Sequence, residues 1–292
     1  MNLPDIQQGH KPPHNTPHDT QAWHGPYRLA PNMRAEAAEH RRMQRELCRA
    51  VDTSAFDLMF RPRLSLGTGR MLGAEALPFW PHKRLGLLQV KAFMPLADIS
   101  GHAVRIGSWS LGTACAAVAG TPCWPSHWQV SVRVSQRLLM QGTLIGQLAD
   151  IFERTGLAPE RLELALDEAL LADIDVDTLL TLSAIRDLGV GVALDDFGTG
   201  FASLSALKRL PLTAMKLDRS LIRDLPDDRE DAAILRALVS AGHALGFDIV
   251  ADGIETERQR AFLVASGCDA GQGSLFSNPL TAAELGGWIA TT

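Results

Sequence analysis

Short apolar runs alternate with longer amphipathic segments along most of this chain. The runs are rich in Val, Leu, Phe and Ala, whereas the segments between them place apolar residues at the spacing of a helix. This alternation is typical of stacked βα units that build a mostly parallel sheet. The pattern predicts strands over residues 56–60, 71–77, 128–134, 161–167, 190–196, 213–218, 248–253 and 268–274.

The first two predicted strands are joined differently from the others, because they are connected through the short turn Leu66–Gly69. A connection this short suits a hairpin and leaves no room for a crossover helix, so this pair should be antiparallel. Eight strands in this arrangement predict an α/β fold, a modified TIM-type (β/α)8 barrel with an antiparallel first strand.

Helix start signals agree with this assignment. Asp227 or Asp228 can cap a helix that ends at Gly246. Thr281 and Glu284 have the spacing of a capping box and predict the start of the last helix.

The composition changes sharply near the start of the chain. Residues 1–32 are rich in His, Pro, Asn and Gln and predict a disordered polar tail, whose histidines match no metal-binding spacing. Residues 33–52 have helical spacing and predict a linker helix, and the barrel domain is expected over residues 53–292.

Bulk properties exclude several classes of function. The formal net charge of −5 argues against DNA or RNA as the main partner. The four cysteines form neither a zinc motif nor a disulfide framework, and no apolar run reaches the roughly 20 residues that cross a bilayer. With no signal segment at the start, the sequence predicts a cytoplasmic protein without a membrane partner.

Acidic residues recur where the predicted strands end, which is where a parallel barrel places its reacting groups. Lys216 lies two residues before Asp218, so the two side chains should lie on the same face of the strand. A single such acid is usually a helix cap or a surface group, but several brought together repel one another unless a cation lies between them. Oxygen ligands suit Mg²⁺, Mn²⁺ or Ca²⁺, so a divalent site is predicted. Its candidate acids are Glu75, Asp195, Asp196, Asp218, Asp252 and Glu255.

Five short motifs occur here in the order that is characteristic of one family. They are "GAEAL", "DDFGTG", "MKLD", "ADGIE" and "AGQG", and together they resemble the signatures of the EAL domain over roughly residues 50–290. The resemblance implies a barrel with an antiparallel first strand and the chemistry of the bacterial messenger cyclic di-GMP. Active members resemble two-metal phosphodiesterases, in which Mg²⁺ or Mn²⁺ activates a water that opens the ring to pGpG. Calcium usually inhibits them.

The resemblance also implies roles for individual residues. Lys216 and Asp252 match catalytic positions, the second as a general base, and Gln272 matches a further site residue. Glu168 matches the glutamate that anchors the DDFGTG loop, whose glycines would pack at a homodimer face. The metal positions are matched by Glu75, Asp195, Asp196, Asp218 and Glu255.

The sequence departs from the family pattern at five positions. Arg133 stands where the family has an Asn metal ligand, and Ala165 replaces a glutamate ligand. Asp252 is one methylene shorter than the family's glutamate. Phe79 replaces a phosphate-binding arginine, and Arg61 replaces a glutamine.

The changes at positions 133 and 165 add about two positive charges, which is the charge of one divalent ion. Along its strand Arg133 alternates with valines and should point inward, which predicts a salt bridge with Glu75 or Asp195. A guanidinium cannot lose its proton to activate water. The alternative is that Arg133 points outward at the rim and the metals remain.

Two interpretations of function follow from these features. The first is a catalytically impaired regulator that acts through a protein partner or by binding cyclic di-GMP. Arg61 and Arg133 would then offer new phosphate contacts, while the loss of an arginine at Phe79 slightly favours the protein partner. The alternative is an active phosphodiesterase that requires Mg²⁺ or Mn²⁺ and produces pGpG.

Overall fold

The computed structural model describes residues 31–121, 124–172, 174–198 and 204–291. The chain divides into two compact units, Met1–Arg41 and Arg42–Thr292, and all the strands belong to the second. Nearly all of the polar tail predicted over residues 1–32 lies outside the described residues. None of the described helices combines the length and the apolar character needed to cross a membrane.

All eight predicted strands are present, and a ninth accompanies them. The additional strand, β3, pairs only with the strand before it and was missed because its four residues are too short and too exposed to show a pattern. In chain order the strands are β1 (Asp57–Ser65), β2 (Met71–His82), β3 (Gly86–Gln89), β4 (Gln129–Val134), β5 (Leu162–Asp167), β6 (Gly191–Phe197), β7 (Ala214–Leu217), β8 (Asp248–Ala251) and β9 (Ala270–Gly271).

Eight of these strands close into a barrel, which confirms the predicted fold class. The sheet order is β1-β9-β8-β7-β6-β5-β4-β2-β3, and pairing between β1 and β2 completes the ring. The first strand, β1, is antiparallel to both of its neighbours, whereas the pairs from β2 through β9 around the rest of the ring are parallel. The parallel strands therefore end at one face of the barrel, where the predicted site was expected.

The helices surround this barrel at the predicted places. Asp228 caps α8 by accepting hydrogen bonds from two backbone N–H groups, and Thr281 forms the expected capping box with Glu284 at the start of α10. The helices are α1 (Pro31–Asp52), α2 (Val90–Ile99), α3 (Ala103–Ala119), α4 (Gln136–Leu139), α5 (Leu144–Thr155), α6 (Val176–Asp187), α7 (Leu204–Leu207), α8 (Arg229–Ala244), α9 (Glu257–Ala265) and α10 (Ala282–Thr291).

The strands separate an apolar layer from a polar barrel interior. On β4, Val130, Val132 and Val134 are buried in the main apolar cluster of the barrel and its helices. Ser131 and Arg133 alternate with these valines and face the interior, because successive side chains of a strand point to opposite sides. The same alternation on the other strands fills the interior with charged groups.

One buried ion pair lies deep in the interior, on the N-terminal side of the predicted site. Arg63 Nη1 lies 2.8 Å from Glu163 Oε1, and Arg63 Nη2 donates to Gln129 Oε1 at 3.4 Å. Both side chains are buried. Glu163, which precedes Ala165 by two residues on β5, is therefore already paired with a protein cation.

Candidate functional site

A bulge at the end of β6 brings two consecutive aspartates to one site. The register between β6 and β7 shifts between Leu194 and Phe197, and Asp196 has a φ of 52°, in the left-handed region. Asp195 is fully buried and accepts a hydrogen bond from the Asp196 N–H at 3.0 Å. Without the bulge, neighbouring side chains would point to opposite faces of the sheet.

Glu168, to which the resemblance assigns the anchoring of the DDFGTG loop, contacts the described start of this loop. Glu168 is buried, and its Oε2 accepts a hydrogen bond from the Gly198 N–H at 3.1 Å. Thr199 and Gly200, the last residues of the DDFGTG motif, lie outside the described residues.

Arg133 lies between the two aspartates, inside the barrel. Its Nη2 is 2.6 Å from Asp195 Oδ2 and 2.5 Å from Asp196 Oδ2, and its Nε donates to Asp195 at 3.0 Å. Its Nη1 lies 3.2 Å from Asp167 Oδ1. The predicted salt bridge between Arg133 and Asp195 is confirmed. Ala165 is the register partner of Arg133, and its small side chain leaves room for the guanidinium.

A second cation, Lys216, joins three carboxylates on the other side of Asp195. Its Nζ lies 2.7 Å from Glu75 Oε1, 2.9 Å from Asp195 Oδ1 and 3.8 Å from Asp252 Oδ2. Lys216 and Glu75 are both buried. Asp195 therefore shares one oxygen with Lys216 and the other with Arg133.

The other carboxylate oxygens of Glu75 and Asp252 contact Gln272 and Arg61. Gln272 Nε2 donates to Glu75 Oε2 at 2.6 Å and to Asp252 Oδ1 at 3.2 Å. Arg61 Nη1 lies 3.4 Å from Asp252 Oδ1 and 3.7 Å from Glu75 Oε2. The structure thus brings Glu75, Asp252, Lys216, Gln272 and Arg61 into one network of contacts.

Opposing effects set the pKa values of the cluster. Burial alone would raise the pKa of Asp195, but Lys216 and Arg133 hold it well below its usual value. Burial likewise opposes the ionisation of Glu75, whose pKa is nevertheless lowered, chiefly by Lys216. For Asp252 burial prevails over Lys216, and its pKa is raised. Asp195 and Glu75 are therefore ionised partners of the two cations at neutral pH.

Two predicted metal ligands, Asp218 and Glu255, make different contacts from the carboxylates that surround Arg133 and Lys216. Asp218 is buried, and its Oδ1 accepts the Ser220 N–H at 2.8 Å, which caps a short 3₁₀ turn after β7. Glu255 is exposed at the pocket, while its backbone N–H donates to Gln259 Oε1 at 2.8 Å. In the part of the chain that the structure describes, neither carboxylate lies within ion-pair distance of Arg133 or Lys216.

The donor set does not fit a divalent ion bridging the two aspartates. A metal would need oxygens from Asp195 and Asp196 at about 2.1 Å, and the guanidinium of Arg133 takes up these same oxygens. Position 165 supplies no oxygen because it is Ala165. Within the described ranges, no group of three or more His, Cys, Asp or Glu side chains is arranged to hold a metal ion.

A cavity of about 300 Å³ lies at this end of the barrel, a volume at the lower end of the usual range for ligand pockets. Arg61, Lys91 and Arg219 contribute cationic groups to its lining. Lys91 and Arg219 are exposed, and no described carboxylate lies within ion-pair distance of either. Apolar groups of the lining come from Val90 and Met94 on α2, Ile106 on α3 and Phe79 on β2.

Sequence reasoning missed several of the pocket's polar residues, among them Arg219, Lys91 and Ser110. Arg219 directly follows Asp218 at the exit of β7, so its position after a predicted strand was a usable signal. Lys91 and Ser110 lie on helices α2 and α3, where nothing in the local pattern indicates that they face the pocket.

The lowered pKa of Asp195 predicts an acid dependence of stability. A carboxyl whose pKa is lower in the folded state stabilises the protein above its unfolded value of about 3.9, and this contribution is lost as the pH falls through the folded pKa. At pH 7 we expect the Asp195→Asn variant to unfold at a lower urea concentration than the natural protein. The difference between the two unfolding midpoints should become smaller as the pH falls towards 2. Urea unfolding across this pH range measures it. A difference that stays constant with pH would contradict the prediction.

Comparison with known proteins identifies relatives of the whole barrel. The model of the family described as "EAL domain" matches residues 44–279. The bifunctional diguanylate cyclase/cyclic di-GMP phosphodiesterase MucR of Pseudomonas aeruginosa is 36% identical over 259 residues, which are 87% of this chain and 37% of MucR. The cyclic di-GMP phosphodiesterase NbdA of the same organism is 37% identical over 251 residues, which are 85% of this chain and 32% of NbdA. The chain thus spans about a third of the length of these relatives.

Two solved structures are also similar to this chain over most of its length. The PaMucR phosphodiesterase in its c-di-GMP complex has a TM-score of 0.78 and 36% identity, with 84% of this chain and 99% of that chain covered. The EAL domain of Mycobacterium smegmatis DcpA has a TM-score of 0.70 and 31% identity, with 81% of this chain and 98% of that chain covered.

Proposed function

This chain belongs to the EAL domain family, and from this premise we propose that it is a regulator in cyclic di-GMP signalling that binds the nucleotide without hydrolysing it. The observation that carries the proposal is the position of Arg133. Its guanidinium lies between Asp195 and Asp196, whose oxygens would otherwise hold a bridging cation. A guanidinium neutralises carboxylates as a metal does, but it cannot lose a proton or activate water.

The pocket favours the nucleotide over a protein partner as the ligand. Lys91 and Arg219 are exposed cations without a described carboxylate partner, and both line the cavity. Arg61 adds a partly exposed guanidinium, of which Nη1 is the atom near carboxylates. Phosphate oxygens are well suited to such groups, because charge-assisted hydrogen bonds are stronger than neutral ones. The relative PaMucR was solved as a c-di-GMP complex, which agrees with this assignment.

The second candidate is a working phosphodiesterase. Glu75, Asp195, Lys216 and Gln272 are all present and contact one another or a shared partner. Both MucR and NbdA carry the name of cyclic di-GMP phosphodiesterases. For hydrolysis to occur with this residue set, Arg133 would have to leave the two aspartates when metal arrives.

Calorimetric titration followed by chromatography separates these functions. The purified protein is titrated with cyclic di-GMP in Ca²⁺ and then in Mn²⁺, and the nucleotide is recovered afterwards. We expect binding in both cases and intact nucleotide at the end. Recovery of pGpG would establish the phosphodiesterase. Absence of binding under every condition would contradict the receptor and leave a protein-binding surface as the function.

The role of the pocket cations predicts a specific loss of affinity. We expect Arg219→Ala to weaken cyclic di-GMP binding by about 10- to 100-fold, because a charge-assisted hydrogen bond contributes roughly 1.5–3 kcal/mol. Arg223→Ala is the matched control, since Arg223 is an exposed arginine four residues away that pairs with Asp224. Calorimetry of both variants measures the difference. Equal affinity of the two variants would exclude Arg219 from the binding site.

A further inference from the structure

One serine of the pocket has a buried hydroxyl without a partner. Ser110 lies on α3, is 2% exposed and lines the cavity. Its Oγ forms no hydrogen bond in the structure. The other two unpaired side-chain atoms of this kind within the described ranges, Trp124 Nε1 and Ser266 Oγ, belong to residues that do not line the pocket.

The local helix could have satisfied this hydroxyl but does not. A serine or threonine in a helix commonly donates to the carbonyl four residues earlier. Ser100 Oγ, Thr121 Oγ1 and Thr155 Oγ1 make this bond here, at 2.7 Å in each case. Ser110 does not use the Ile106 carbonyl in this way. Its hydroxyl can therefore turn about χ1 to another staggered position without breaking a hydrogen bond.

The surroundings of Ser110 specify the kind of group that it would meet. Ile106 and Gly107 precede Ser110 by one helical turn and line the same pocket, as do Met94 of α2 and Phe79 of β2. A hydroxyl beside apolar side chains suits a flat, mostly apolar ring with a polar atom on its edge.

We propose that Ser110 is a specificity-determining residue of the pocket, whose hydroxyl forms a hydrogen bond with a polar ring atom of the bound ligand. This inference rests on the proposed function, because the ligand is taken to be cyclic di-GMP. Before binding, the unpaired hydroxyl destabilises the protein. On binding, the hydroxyl gains a partner. Ser110 therefore strengthens ligand binding but lowers the stability of the ligand-free protein.

Ser110→Ala tests the inference with two readouts. Calorimetric titration with cyclic di-GMP should give a Kd about tenfold weaker than that of the natural protein. The melting temperature of the ligand-free variant should be equal or higher by about 2 °C, since the variant lacks the unpaired group. A structural serine would lower the melting temperature instead.

Ser108→Ala is the matched control. Ser108 lies on the same helix, and its hydroxyl pairs with Gln147 Oε1 at 3.0 Å, outside the pocket. We expect an unchanged Kd and a slightly lower melting temperature. If the natural protein binds and Ser110→Ala binds equally well, the inference alone is overturned. If the natural protein does not bind cyclic di-GMP, the proposed function fails and this inference fails with it.

Discussion

Replacing Arg133 by Asn and Ala165 by Glu together is expected to create a Mn²⁺ response that the natural protein lacks. The double variant removes the guanidinium from Asp195 and Asp196 and adds a carboxylate beside them. Mn²⁺ at about 100 times its Kd would stabilise such a site by about 2.7 kcal/mol, which corresponds to a rise in melting temperature of roughly 5–10 °C. Thermal unfolding with and without Mn²⁺ measures it.

The control for this experiment is Arg137→Asn, which makes the same change four residues later. Arg137 donates to the Asp98 carbonyl at 3.0 Å and contacts none of the cluster carboxylates. We expect this variant and the natural protein to melt within about 1 °C of their metal-free values, because neither binds the ion. An equal rise in all three proteins would show that Mn²⁺ binding does not depend on positions 133 and 165 and would contradict the account.

Glu163→Ala is expected to destabilise the protein by about 3–5 kcal/mol, which is the usual effect of leaving one partner of a buried ion pair unpaired. Its partner, Arg63, is 7% exposed and would lose the carboxylate at 2.8 Å. Urea unfolding of the two proteins measures the change. Glu257→Ala, which removes an exposed pair with Arg260, should shift the urea midpoint little.

A double replacement shows whether the destabilisation comes from the broken ion pair or from the lost packing of the Glu163 side chain. Arg63→Met combined with Glu163→Leu removes both charges and keeps the volume, so most of the stability lost in Glu163→Ala should return. If the double variant is as unstable as Glu163→Ala, packing around Glu163 is responsible and the ion pair is not.

The sequence predicted the barrel because its local signals were strong. Period-two alternation and short apolar runs located eight strands, and the four-residue turn Leu66–Gly69 correctly indicated the antiparallel first pair. Alternation on β4 also gave the inward direction of Arg133, since the valines on either side had to face the helices. These inferences needed only the geometry of one or two strands.

The remaining features depend on contacts between distant residues. Asp196 joins Asp195 only through a bulge with a left-handed residue, which no spacing rule reveals. Asp218 has the position of a ligand but is used as a cap. The pairing of Arg63 with Glu163, 100 positions away in the chain, is set by barrel closure rather than by any local pattern.

The central claim is that Arg133 takes the position of a bridging cation between Asp195 and Asp196. A crystal structure of the protein grown with Mn²⁺ and cyclic di-GMP, with anomalous scattering recorded at the manganese edge, tests this most directly. The account predicts the guanidinium in contact with both aspartates, with no anomalous peak between them. A peak within about 2.1 Å of both carboxylates, with Arg133 turned away, would contradict it.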